Sequence, residues 1–453
     1  VHSFDQPVDP ADVDTVLSYA RGRLLMDPVP LDRSRSLEEL EQLVGQTITP
    51  GGLGTARTME LFVETLAKAT ISTDHPGYLS FIPCAPTRDA AAFDVVVGAS
   101  SIYGGSWLEG AGAVYAENQA LRWIADIAGL PPQAGGTFVP GGTVGNLSAL
   151  VTARHAARAR ALAAGSGARP FRIAATDNAH SSIVSMAAVM DAEVVGVPVD
   201  DHLRMTGPEL RRVIEETGPE TFFAVVATSG TTNFGVVDDL AAVAEVCREF
   251  GIWFHVDGAY GGAGLAAPSV RALFDGIEQA DSFIVDPHKW LFSPFDCCAL
   301  IYRDPELARA AHTQHAGYLD VLTEAAAFNP TDYSIGLTRR VRGLPFWFSL
   351  AVHGTQAYVD AVESTLEVTR HAAAEIEQRD YVELVRAPDL SVVVFRRLGW
   401  SPADYQAWTD RLLADDFAFV VPTTFRGETL TRFAIVNPRT TKAYISAILD
   451  TMM

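Results

Sequence analysis

The sequence has few cysteines, little positive charge and no long apolar run. Its 453 residues include four cysteines, Cys84, Cys247, Cys297 and Cys298. None forms a C-x-x-C pair, so nothing has zinc-ligand spacing and no metal is expected. Reduced core cysteines of a cytoplasmic protein are the remaining reading. Lys and Arg total 34 against 55 Asp and Glu, a formal charge of −21. Such an excess of acid argues against a nucleic-acid partner, whose phosphates must be neutralised, and against a binder of anionic membrane. A small anion is not excluded, because oriented backbone dipoles hold one locally. No run of about 18 apolar residues occurs, so no membrane span is expected. Val1-His2-Ser3 carries neither the basic nor the apolar part of a signal peptide, and no leader is expected. There is no internal repeat.

Apolar material is plentiful. Hydrophobic residues make up 48% and charged ones 20%, which excludes a disordered or fibrous chain. The first segment reads as helices. Asp9-Pro10 opens one through Val13, Val16, Leu17 and Tyr19 to about Met26. Ser36 and Glu39 have the spacing of a capping box, and a third helix fits Thr58 to Lys68. Such a helical hairpin is expected to cover something, here a partner subunit. The middle alternates short apolar runs with helical stretches. Strands are expected at Phe171–Thr176, Glu193–Val197, Phe222–Thr228, Ile252–Val256, Ser282–Val285 and Cys298–Tyr302. Helices are expected at Ser181–Met190 and Leu240–Phe250. This alternation predicts an α/β fold: a mostly parallel sheet covered by helices on both faces. Ligands then sit at the carboxyl ends of strands.

His312 to Leu337 has poor periodicity and is long for an idle connection, so it reads as a functional lid or a disordered stretch. A long helix is expected from near Arg342 or Pro345. The end reads as a small α+β unit with strands near Ser391–Arg396, Phe417–Val421 and Thr431–Val436. The expected division is a helical segment over 1–75, a large α/β domain over 76–375 and a small domain over 376–453.

Four features carry chemistry. Pro140-Gly141-Gly142-Thr143-Val144-Gly145-Asn146 precedes a helix, a form suited to phosphate but shared with ordinary helix-capping turns. His180, in Asn178-Ala179-His180-Ser181-Ser182, follows a strand and opens a helix; a structural hydrogen bond would explain it as well. Asp257, in His255-Val256-Asp257-Gly258-Ala259-Tyr260, ends an apolar strand, where it either faces a ligand or caps a turn. Lys289, in Asp286-Pro287-His288-Lys289-Trp290, follows a buried strand; it either snorkels to solvent or serves as an amine nucleophile for carbonyls. Together they fit pyridoxal phosphate, which needs a phosphate cradle, a Schiff-base lysine, an acid for the pyridine nitrogen and a group stacked on the ring.

Six stretches carry a resemblance: HPGYLSFIP at 75–83, PGGTVGN at 140–146, NAHSS at 178–182, ATSGTT at 227–232, HVDGAY at 255–260 and DPHKWLFSPFDCCAL at 286–300. Over nearly its whole length the chain resembles the group II pyridoxal-phosphate decarboxylases, which include aromatic L-amino-acid, glutamate, histidine and 2,4-diaminobutyrate decarboxylases. The resemblance implies a fold-type I enzyme working as an intertwined homodimer. It implies that Lys289 forms the Schiff base, Asp257 holds the pyridine nitrogen protonated and His180 stacks on the ring. It places the backbone at Thr143 and Val144, with His288, against the phosphate, and Thr228 and Ala259 around the ring. A loop tyrosine returns a proton to Cα in this family; Tyr318 matches it by local pattern, with Tyr333 as the competitor. Related aldehyde synthases replace that tyrosine or alter the stacking histidine, so Tyr318 and His180 favour simple decarboxylation. Phe81, Ile82 and Pro83 match substrate-pocket positions and, with Tyr103 and Trp107, favour an aromatic substrate. Arg339, Arg340 and Arg342 would instead suit an acidic one, and a diamino acid also remains open. One departure stands out: Asp286 occupies a position where the aromatic branch often has Asn, and a carboxylate beside a phosphate is repulsive.

Overall fold

The computed structural model describes residues 7–167, 169–314 and 328–453. Its N-terminal part contains the three expected helices, α1 (Pro10–Leu25), α2 (Leu37–Val44) and α3 (Thr55–Leu61). Asp9 caps α1 through the Ala11 N–H, and Ser36 and Glu39 form the capping box of α2. Neither α1 nor α2 has a buried residue. Two further helices, α4 (Arg88–Ser100) and α5 (Trp107–Ile127), lead into the sheet.

Seven strands form that sheet: β1 (Gly135–Val139), β2 (Arg172–Ala175), β3 (Glu193–Gly196), β4 (Phe222–Thr228), β5 (Trp253–Asp257), β6 (Ser282–Val285) and β7 (Cys298–Tyr302). Their order is β1-β7-β6-β5-β4-β2-β3. The pairs from β3 across to β6 are parallel, whereas β7 pairs antiparallel with both β6 and β1. The sheet is therefore mixed, with a parallel centre. β1 escapes a reading by apolar runs because it opens on Gly135-Gly136. A Cβ on Gly136 would lie 1.9 Å from the Leu300 carbonyl oxygen, so only glycine lets β1 lie against β7 there.

The apolar strands face helices on both sides. On one face, Phe222, Val225, Phe254 and Val256 pack with α5, α8 (Gly207–Thr217) and α9 (Leu240–Phe250). On the other, Phe223, Val226 and Trp253 pack with α6 (Gly142–Ala163) and α7 (Ser182–Val189). All four cysteines are buried and free. No helix among the described residues is long and apolar enough to cross a membrane.

The expected long helix is two helices, Leu344–His353 and Thr355–Glu377, separated by Gly354 at φ +75°. A four-stranded sheet follows, in the order β10-β11-β9-β8, with β8 (Val382–Leu384), β9 (Val392–Arg397), β10 (Pro422–Phe425) and β11 (Glu428–Ala434). The strand expected at Phe417–Val421 is corrected by this arrangement. That run is extended, but it hydrogen-bonds to the distant segment around Tyr78. The Phe419 N–H donates to the Gly77 carbonyl at 2.8 Å, and the Leu79 N–H donates to the Phe419 carbonyl at 3.0 Å. The strand that enters the small sheet is the hairpin arm Pro422–Phe425.

Candidate active site

The parallel strands β4, β5 and β6 end on the same edge of the sheet. Thr228 is the last residue of β4 and Asp257 the last of β5. Asp286 directly follows β6 at the N-cap position of the single turn α10 (Pro287–Trp290), without a side-chain cap hydrogen bond; that turn carries His288 and Lys289. Gly141 caps α6 at φ +82°, a conformation that favours glycine, and offers no side chain to the first N–H groups of the helix. The N–H groups of Gly142, Thr143 and Val144 are therefore without intrahelical acceptors and present an anion-binding helix end. A Cβ on Gly142 would lie 3.1 Å from the Ala259 Cβ and 3.3 Å from Asp286 Oδ2. Gly142 thus keeps room between the helix end and the strand ends.

These groups line one cavity of about 250 Å³. It brings together Thr143, His180, Thr228, Asp257, Ala259, His288 and Lys289, with Asn146, Ser182 and Asp286. Val144 belongs to the same helix start, but its side chain packs into the core below. Lys289 Nζ lies 2.8 Å from Asp286 Oδ2. Burial lowers the lysine pKa, but the paired Asp286 carboxylate, with Asp257 beyond it, more than offsets this and raises it. Burial likewise pushes Asp286 up, and Lys289 and His288 outweigh it and hold it below the ordinary carboxylate value. The departure at position 286 is therefore a buried ion pair with the lysine. The other Asp286 oxygen, Oδ1, is buried without a hydrogen-bond partner, as is the Thr228 hydroxyl. His288 Nδ1 donates to the Cys297 carbonyl at 2.7 Å, and its ring lies 5.1 Å from Phe295.

Asp257 is 4% exposed and uses both oxygens. Oδ1 accepts the Ala259 N–H at 3.1 Å, and Oδ2 accepts the Asn146 amide at 2.9 Å. His180 sits at the mouth of the cavity, with Nδ1 accepting the Ser182 N–H at 3.2 Å. Asp238, beneath the end of β4, accepts the Thr228 N–H and the Met205 N–H, each at 2.7 Å. Burial pushes its pKa up to about 7. The motif reading had given no role to Asn146, Ser182, His255 or Asp238. The signal available for His255 was a polar residue inside an apolar strand, which must find a buried partner.

Several expected residues lie elsewhere. Phe81, Ile82, Pro83 and Trp107 do not line this cavity. Phe81 is 57% exposed at φ +51°, its ring 6.4 Å from Phe419. Ile82 packs against the main core, Pro83 is buried, and Trp107 opens α5 with its N–H on Asn329. Tyr318 lies outside the described residues. Tyr333 does not reach the cavity. It is buried against Phe328, ring to ring at 4.6 Å, and burial pushes its hydroxyl up to about 12. The arginines are committed: Arg339 to Glu117 at 2.7 Å, Arg340 to Asp94 at 2.8 Å and Arg342 to Asp296 at 3.2 Å.

Pyridoxal phosphate fits these groups. A helix end with free N–H groups suits its phosphate, an amine stands ready for its aldehyde, and an ionised acid suits its ring nitrogen. Comparison with known proteins points the same way. Residues 59–398 match the family described as the pyridoxal-dependent decarboxylase conserved domain. The chain is 27% identical over 445 residues to the aromatic-L-amino-acid decarboxylase of Bacillus atrophaeus, covering 94% of this chain and 92% of that one. It is 31% identical over 415 residues to the L-2,4-diaminobutyrate decarboxylase of Rhizobium meliloti, covering 88% and 81%. Among solved structures, mouse CSAD superposes with a TM-score of 0.87 at 25% identity, covering 98% of each chain. Oryza sativa TDC, solved with PLP and tryptamine, gives 0.88 at 23% identity over 99% of each chain, a likeness of fold.

Proposed function

The chain belongs to the pyridoxal-dependent decarboxylase family and is a carboxy-lyase of amino acids that uses pyridoxal phosphate; on that premise we propose that its substrate is an aromatic L-amino acid, released as the amine with carbon dioxide. One observation carries the choice of side chain. Each of the three arginines suited to an acidic substrate is already paired with a carboxylate. Drawing one away would leave a carboxylate without its partner, and for buried Glu117 that loss is large.

When bound, pyridoxal phosphate supplies an electron sink conjugated to the substrate Cα. The chain's own groups do the rest. The first N–H groups of α6 and His288 would hold the phosphate. Lys289 would be the amine for the cofactor aldehyde, and Asp286 Oδ2 lies 2.8 Å from it. Asp257 keeps a proton on the ring nitrogen, which strengthens the sink. His180, Thr228 and Ala259 would hold the ring. Tyr318 returns a proton to Cα. The functional unit is a homodimer, supported by Val13, Val16 and Leu17 on α1, each between 43% and 45% exposed.

The test is a screen of the purified protein with pyridoxal phosphate against the twenty L-amino acids and L-2,4-diaminobutyrate. Carbon dioxide, amine, aldehyde and peroxide are followed together. Amine and carbon dioxide from one aromatic acid are expected. Turnover confined to glutamate, aspartate or diaminobutyrate would overturn the aromatic assignment, and aldehyde with peroxide would overturn the role of Tyr318.

A further inference from the structure

Behind the cavity, Asn146 is 1% exposed and uses its whole amide. Its Nδ2 lies 2.9 Å from Asp257 Oδ2 and 3.1 Å from Ser182 Oγ. Its Oδ1 lies 2.9 Å from His255 Nε2. His255 Nδ1 lies 2.8 Å from Ser282 Oγ, which accepts the Trp253 indole N–H at 2.9 Å. On the other branch, Ser182 Oγ lies 2.9 Å from His180 Nδ1. Trp253, His255 and Asp257 alternate along β5, so they share the face that looks onto α6. Ser282 is the cross-strand partner of His255 in β6.

The direction of this chain follows from its carboxylate end, because an ionised carboxylate only accepts. Asn146 turns its amide nitrogen to Asp257 and its oxygen to His255 Nε2, which donates; neutral His255 Nδ1 then accepts the Ser282 hydroxyl proton, and Ser282 Oγ accepts the Trp253 indole N–H. His255 then carries its own proton on Nε2 and donates to Asn146 Oδ1. The amide nitrogen of Asn146 therefore faces Asp257 and Ser182; the reverse orientation would set a carbonyl oxygen against a carboxylate oxygen. Ser182, accepting from Asn146, donates to His180 Nδ1. The indole N–H at the far end is compatible with this orientation, which the carboxylate sets. Burial agrees, pulling His255 down to about 4 and keeping it neutral at pH 7.

We propose that Ser282, His255 and Asn146 are positioning residues, a one-way hydrogen-bond chain that holds Asp257 as an acceptor and His180 with its proton on Nε2. One buried amide thereby reaches both groups that flank the ring, Asp257 directly and His180 through Ser182. The inference rests on the reading that Asp257 and His180 face the cofactor, but its test does not depend on turnover.

Histidine-selective 15N labelling of the protein, with and without pyridoxal phosphate, reads the tautomers directly. His180→Gln and His255→Gln assign the two signals. At pH 7 both rings are expected to be neutral with the proton on Nε2. Trp253→Phe removes the indole donor but leaves the carboxylate end in place, so His255 should keep its proton on Nε2. Asn146→Asp, which faces Asp257 with a second carboxylate, should release pyridoxal phosphate at least about tenfold faster, a change of about 1.4 kcal/mol. A proton on His255 Nδ1, a doubly protonated His255 at pH 7, or a changed His255 tautomer in Trp253→Phe would overturn the chain. Wild-type protein that never acquires the visible absorbance of bound cofactor would instead overturn the cofactor reading, leaving the tautomers of the free protein to stand or fall separately.

Discussion

Replacing Asp286 by Asn removes one member of a buried ion pair and leaves its shape. The pair is 2.8 Å long and Asp286 is 1% exposed. In the wild type the carboxylate holds the Lys289 pKa above 10.5. A lysine raised in this way stabilises the fold fully below the unfolded value, and that contribution is lost only as pH rises through the higher folded value. Between pH 7 and 9 it is therefore constant. In Asp286→Asn, burial is opposed by the more distant Asp257, so the lysine pKa is expected to fall below 10.5. The variant must then either bury an ammonium without its closest partner or neutralise it. The first costs about 3–5 kcal/mol. The second is bounded by the interval from pH 7 to the unfolded value of 10.5, about 5 kcal/mol, and shrinks by about 1.4 kcal/mol per pH unit. Urea unfolding of the cofactor-free protein should show the variant less stable by about 3–5 kcal/mol at pH 7 and by about 2 kcal/mol at pH 9. An equal deficit at both pH values, or none at pH 7, would refute the assignment of this pair.

Lys289→Ala should bind pyridoxal phosphate without the visible absorbance of the wild type and retain less than about 1% of turnover; a normal spectrum would remove Lys289 from its role. Gly142→Ala places a methyl 3.1 Å from the Ala259 Cβ and 3.3 Å from Asp286 Oδ2. It should weaken cofactor binding about tenfold and leave the melting temperature of the cofactor-free protein within about 2 °C; unchanged affinity by fluorescence titration would mean that the helix end does not hold the phosphate. Tyr318→Phe should divert product from amine toward aldehyde, read by chromatography with a peroxide assay, and an unchanged amine yield would rule out the tyrosine as proton donor.

Much of the fold was legible because local rules agreed with it. The apolar runs at Phe222–Thr228, Ser282–Val285 and Cys298–Tyr302 are strands with those limits, since a strand buried on both faces reads as an unbroken hydrophobic run. The capping pair Ser36 and Glu39 marked the start of α2 for the same local reason. The glycines, His180, Asp257 and Lys289 stood in motifs at the ends of such elements, so the sequence also determined which residues the strand ends would gather.

Other features depend on contacts that neighbouring residues do not encode. Phe417–Val421 is apolar enough for the small sheet, yet it pairs with the chain around Tyr78, more than 300 residues away. Gly135–Val139 is a strand because Leu300 comes within reach of a bare glycine. Phe81 and Trp107 are aromatic in any reading, but their distance from the Lys289 cavity appears only when the chain is folded. The pairing of Asp286 with Lys289 turned a residue expected to repel phosphate into the partner of the amine. Asn146, Ser182, His255 and Ser282 come from four separate segments, and no spacing along the chain announces their network. The sequence determined the elements and the reactive groups because hydrophobic period and motif chemistry are local. Tertiary structure alone decided hydrogen-bond direction, charge pairing and exposure, because each depends on atoms brought together from distant parts of the chain.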